Sequence, residues 1–267
     1  MMTAVWWVCL VCYGLAMGYI VKGLLRGQLL SKKLVLGLTV VGLVAHAAVL
    51  YPKIATPFGL NFNLYNVLSL TSWLVLLFYV GFCLLRPIVA LGVLALPLAL
   101  GGAMVGYLAD APYHAIYQLS PMLQAHIVAS IAAYCLLVMA AVQAVVLRLQ
   151  IAELKRVREH PLWVNRLPAL QSMEALLFDM IGAGFVLLTV ALGLGFADTT
   201  NLLAQHLTHK TVFSVLSWLV FGALLIGHWR YGWRGGRAAN MTLYGVALLA
   251  IAFLGTKFVL EVVLQRG

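Results

Sequence analysis

Apolar residues in this chain come in long, nearly uninterrupted blocks, and most of the charge is collected in the short stretches between them. The blocks fall at roughly 3–21, 34–50, 66–84, 88–107, 122–147, 174–196, 211–228 and 238–260. Each approaches the ~20 residues that a helix needs to cross the hydrocarbon core of a bilayer. In lipid the backbone must satisfy its own hydrogen bonds, so helices are the natural spanning element. The pattern predicts an all-α polytopic membrane bundle of about eight transmembrane helices, forming a single domain over 1–267.

Composition agrees with the pattern. The chain is 64% hydrophobic and 9% charged, with a mean hydropathy of +1.03, far from the balance of a soluble domain. No basic segment precedes the first block, AVWWVCLVCYGLAMGYIV, and no AxA-type cleavage site follows it. It is therefore expected to remain as the first span and not to be removed as a leader. Cys9, Cys12, Cys83 and Cys135 all lie in apolar blocks, which points to packing and not to a disulfide framework. Cys9 and Cys12 form a CxxC, but Tyr13 follows where covalent haem attachment would need histidine.

Charge sets the expected topology. Lys22, Arg26, Lys32, Lys33, Arg86, Arg148, Lys155, Arg156, Arg158, Arg166, Arg230, Arg234 and Arg237 fall in alternate connections, whereas the opposite set carries only Lys53, Lys210, Lys257 and Arg266. The positive-inside rule then puts the basic loops in the cytoplasm and both termini outside. The net charge of +10 is a topology signal whose natural partner is the anionic lipid headgroup. A nucleic-acid partner is excluded, since that would need a basic face with base-reading groups on a soluble module. On the outer side, YPKIATPFGLNFNLYN and LADAPYHAIYQLSP mix aromatic, proline and amide residues, as lid or interfacial segments do.

Histidines supply the candidate chemistry. His46 falls in the outer half of the second block and His126 in the first turns of the fifth. At ~1.5 Å rise per residue the two can lie at similar depth if their helices are neighbours. Neutral imidazoles there suit axial ligation of haem iron within apolar helix faces. The competing reading is a helix-to-helix hydrogen bond or a headgroup contact. His206 and His209 are three apart in TTNLLAQHLTHK, but no acidic or cysteine cluster completes a zinc site. His209 and Lys210 are kept as contacts for an anionic group such as a haem propionate. His228 ends the seventh block, where a helix cap or headgroup contact is the plain reading. Asp179, inside the sixth block, needs a partner or a proton, and Arg148 is the partner considered. No Walker motif occurs, and no nucleophile, base and orienter are brought together, so no catalytic residue is assigned.

Four ordered stretches resemble a known family: QLSPMLQAHIVASIAAYCLLVMAAVQAVV, LPALQSMEALLFDMIGAGFVLLTVALGLG, HKTVFSVLSWLVFGALLIGHWRYGWRGGRAA and AFLGTKFVLEVVL. They are similar to the CcsA/CcmC-type cytochrome c assembly membrane proteins, above all their shorter YpjD/HemX-like inner membrane relatives, with the likeness strongest over 118–264. The resemblance implies haem handling at the outer membrane face, with His126 on the family's haem-ligating histidine and His228 on a second family histidine. The tryptophan-rich WGxxWxWD segment of the assembly enzymes is absent, and only Lys210 and Trp218 match its trailing part. The second outer ligand that the resemblance leads one to expect near the end of the last matched helix is also missing, with Glu261 in that neighbourhood. The resulting expectation is an accessory or regulatory haem-binding protein of the bacterial inner membrane, holding b-type, non-covalent haem and working beside haem-pathway or cytochrome c biogenesis proteins. The site residues expected are His126 and His46 on the metal, with His228, His209 and Lys210 around the cofactor. The alternatives are a haem lyase or exporter component, and a transporter or complex subunit that has lost haem.

Overall fold

The computed structural model describes residues 2–57, 59–86, 88–109, 115–116, 120–155, 164, 167–197 and 208–255. Among the described residues eight α-helices follow one another: α1 (Met2–Leu25), α2 (Lys32–Ile54), α3 (Leu64–Leu85), α4 (Gly92–Leu108), α5 (Pro121–Leu154), α6 (Leu170–Ala197), α7 (Thr208–Tyr231) and α8 (Gly235–Ala250). A 3-10 turn, Val89–Leu91, leads into α4, and a π turn, Ile251–Gly255, extends α8. With these turns included, all eight are long and apolar enough to cross a membrane. The polytopic all-α expectation therefore holds. Past the apolar block that ends near 147, the polar residues that follow continue α5 as a helix to Leu154, as their sequence allows, whereas α6 begins at Leu170 instead of 174. The expected end of the last block near 260 lies outside the described residues.

Local chemistry explains the boundaries. α1 stops in a Schellman motif, with Gly27 at φ 61°, its N–H donating to Leu24 and that of Gln28 donating to Gly23. The Ser31 side chain caps α2 through Leu34 N–H, and the Asn63 side chain caps α3 through Asn66 N–H at 2.8 Å. Ser120 caps α5 through Leu123 N–H, with Pro121 at the first helical position. Gly232, at φ 65°, closes α7 by donating to the His228 carbonyl.

Two compact units are present. The first comprises 1–115 and 149–172. In it α1 packs on α2 and α4, and α3 on α2 and α4. One end gathers the start of α1, the end of α2, the start of α3 and the end of α4. There Trp6 donates to the Ala103 carbonyl and stacks on Tyr107 at 4.5 Å. The Lys53 ammonium donates to the Gly106 and Tyr107 carbonyls at 2.6 and 3.0 Å, stopping the end of α4. The Asn66 amide donates to the Lys53 and Asn61 carbonyls. Between α2 and α3 the chain turns through an antiparallel pair, β1 (Ala55–Thr56) and β2 (Gly59–Asn61), with Ala55 opposite Leu60. A further short strand, β3 (Ala115–Ile116), lies where the two units divide.

The second unit comprises 116–148 and 173–267. α5 and α6 run antiparallel: His126 meets Ala191, Leu137 lies against Gly184, and Gln143 donates to the Met173 carbonyl. α6 and α7 are antiparallel too, with Trp218 donating to Thr189 and His228 stacked on Phe178. α7 packs on α8, where Ser217 donates to the Gly245 carbonyl and Gly245 leaves room for Phe221.

Candidate functional site

His126 sits one turn and a half into α5, part-buried in the second unit. Its Nδ1 lies 2.8 Å from the Ala191 carbonyl oxygen. A carbonyl only accepts, so Nδ1 carries the proton and Nε2 keeps its lone pair. Nε2 faces the Ser130 hydroxyl at 3.5 Å, one turn along the same helix. The ring rests on Gly195, where an added Cβ would stand 2.9 Å from its Cε1. An imidazole oriented through one nitrogen and presenting the other is the arrangement that metal-ligating histidines adopt. With Nδ1 fixed on the α6 backbone, Nε2 is held only by the 3.5 Å contact to Ser130 within its own helix.

Lys210 lies at the same end of this unit, because α7 starts where α6 finishes. Its Nζ stands 5.7 Å from the centroid of the Phe253 ring, which packs on Tyr134 at 4.9 Å. His126, Ser130 and Tyr134 recur every four residues and so share one face of α5. The π turn that carries Phe253 brings this ring to the stripe. The backbone of His209 belongs to the first turn of α7. His206, Lys257 and Glu261 lie outside the described residues.

His46 is in the first unit and is 2% exposed. Its Nε2 is 2.9 Å from Ser69 Oγ, and its Nδ1 is 3.4 Å from the Tyr13 hydroxyl. Both nitrogens are therefore engaged by neighbouring helices. His228, at the far end of the second unit from His126, donates from Nδ1 to the Trp233 carbonyl at 3.0 Å and stacks on Phe178 at 3.6 Å. Arg148 donates to the Asn240 side chain of α8. No cluster of three metal-ligating side chains occurs among the described residues.

Sequence reasoning passed over Ala191, Gly195 and Ser130. The HxxxS spacing in α5 was the available signal for Ser130, and the small residues of ALGLGFA were the signal for a close approach on α6. No local pattern pointed to Tyr13 and Ser69, which reach His46 from elsewhere in the chain.

Eight apolar helices define a polytopic membrane protein, one of whose helices carries an imidazole seated on a neighbouring backbone. The sequence comparisons are specific: residues 34–264 match the model for the Cytochrome C assembly protein family, and the chain belongs to that family. It is 31% identical over 266 residues to the inner membrane protein YpjD of Escherichia coli strain K12, covering 95% of this chain and 97% of that one. A 28.8 kDa protein encoded in the nifR3-like 5' region of Azospirillum brasilense is 39% identical over 143 residues, about half of each chain (52% and 52%). The cytochrome c biogenesis protein CcsA of Nostoc punctiforme is 29% identical over 97 residues, covering 36% of this chain and 28% of that one. No solved structure matches the chain. The protein is a multi-pass protein of the bacterial inner membrane.

Proposed function

We propose that this protein binds haem non-covalently through His126 Nε2 and serves cytochrome c biogenesis as an accessory haem-handling component. The observation that carries the reading is the Nδ1–H bond from His126 to Ala191, which fixes the tautomer that leaves Nε2 for iron. Bound there, haem would bring a redox-active iron whose potential follows axial ligand and surroundings. The chain's own groups would orient the ligand and shield it. Ala191 and Gly195 hold the imidazole plane, Tyr134 and Phe253 supply aromatic surface, and Lys210, with His209 beside it in the chain, offers a cation to a propionate. CcsA relatives carry biogenesis of cytochrome c in their name, and this supports the pathway.

In this reading His46 joins helices, its two nitrogens being used by Tyr13 and Ser69. His228 is proposed as the fixed point of the α7–α8 turn. The test is the visible spectrum, oxidised and reduced, of detergent-purified protein from haem-replete cells, beside His126→Ala and His46→Ala. A Soret band in the wild type, lost or shifted in His126→Ala and retained in His46→Ala, is expected. A wild type that neither carries nor takes up haem would sink the proposal.

A further inference from the structure

The α7–α8 turn carries Arg230, Arg234 and Arg237, all exposed, within eight residues. We propose that this turn binds the phosphate of an anionic membrane phospholipid whose acyl chain lies along α7. This site is separate from the haem reading and does not depend on it.

Three observations converge. The first is depth: Trp229 and Tyr231 are 76% and 73% exposed on either side of Arg230, and such aromatic residues belong at the membrane–water boundary. The second is the face below. Leu219 and Ile226 are exposed, seven residues apart, and Arg230 follows four residues later on the same side of the helix. A cation therefore crowns an uncovered apolar stripe, which matches a headgroup above an acyl chain and not a soluble anion.

The third is order within the turn. Trp233 folds back over Gly227, where any Cβ would collide with the indole. The Trp233 backbone N–H donates to the Gly227 carbonyl at 3.1 Å, and its backbone carbonyl accepts from His228. The Arg237 guanidinium stands 5.3 Å from the Trp233 ring centroid. That cation is held before any ligand arrives, so less freedom is lost on binding. The acids nearest in the chain to Phe178, on which His228 stacks, are Glu174 and Asp179 of α6. Arg148 is committed to Asn240. The three arginines of the turn exceed those two carboxylates.

The full-length protein would be purified in mild detergent with equimolar phosphatidylglycerol and phosphatidylcholine, and retained lipid counted by native mass spectrometry. Wild type should retain phosphatidylglycerol preferentially. Arg230→Gln and Arg234→Gln should each cut that preference about fivefold. Equal retention of the two lipids by wild type would overturn the proposal, as would an unchanged preference in the double variant. Displacement of phosphatidylglycerol by millimolar inorganic phosphate would equally overturn it, assigning the arginines to a soluble anion.

Discussion

His126 and Ala191 are joined across two antiparallel helices by a 2.8 Å bond from imidazole Nδ1 to carbonyl oxygen. The bond holds the ring only because Gly195, one turn further along α6, has no side chain. A methyl group at Gly195 would push the ring off its seat, at a cost of about 1–3 kcal/mol for overpacking. Gly195→Ala should therefore weaken haem binding about tenfold or more in a spectrophotometric titration. Gly193→Ala, whose added carbon meets nothing within 4 Å, should titrate like wild type. If the two variants behave alike, Gly195 is not the seat.

His46 leads to the opposite expectation. Replacing it with leucine leaves the Ser69 hydroxyl buried without its partner, at about 1–3 kcal/mol, and removes one of the partners of the Tyr13 hydroxyl. His46→Leu should lower the melting temperature in detergent while the haem content of the folded fraction stays constant. Tyr13→Phe should show a smaller drop, on the order of 0.6–1.7 kcal/mol, as interhelical hydrogen bonds in membranes give. Loss of the Soret band at undiminished stability would instead make His46 an axial ligand.

At the end of the first unit, Lys53 holds the last carbonyls of α4 and lies 5.1 Å from the Tyr107 ring centroid. A cation at a helix C-terminus stabilises it by about 0.3–2 kcal/mol. Lys53→Met keeps the aliphatic stem and removes the charge. It should lower thermal stability by that amount and speed hydrogen exchange at the end of α4, measured by mass spectrometry. Unchanged exchange there would remove Lys53 from this role.

Glycine substitutions separate contact from space. A Cβ at Gly102 would collide with Ser72, and one at Gly106 would lie 2.5 Å from Ser69. Gly102→Ala should cost at least ~1–3 kcal/mol and reduce the yield of monodisperse protein. Gly14→Ala meets nothing within 4 Å and should stay within about 0.5 kcal/mol of wild type. Size-exclusion profiles of the two variants made in parallel provide the check.

The eight helices were readable because apolar runs of spanning length alternate with short charged connections, and Ser31, Asn63, Ser120 and Gly232 add a local reason to start or stop four of them. Leu170 was harder to read because polar residues near a membrane boundary suit a helix and a loop equally well. His126 stood out as an imidazole in an apolar run, and its position at a helix start was visible. Its seat was not, because Gly195 and the Ala191 carbonyl carry no chemical signal until α6 is laid antiparallel to α5. His46 looked equivalent in the sequence. Its difference lies in Tyr13 and Ser69, which are 33 and 23 residues away, and no periodicity links them to it. The expected partnership of Arg148 with Asp179 gave way to Asn240 for the same reason, since α8 contributes it from 92 residues away.

The glycines facing hydroxyl and aromatic side chains in the first unit, Gly42 on Tyr13, Gly102 on Ser72 and Gly106 on Ser69, make that half of the chain brittle. A saturation scan scored by loss of the cell's cytochromes would light up at such glycines, which touch no cofactor in the proposed scheme. Sensitivity to substitution would then report steric saturation, and the iron ligand would stand out only where loss of colour is separated from loss of protein.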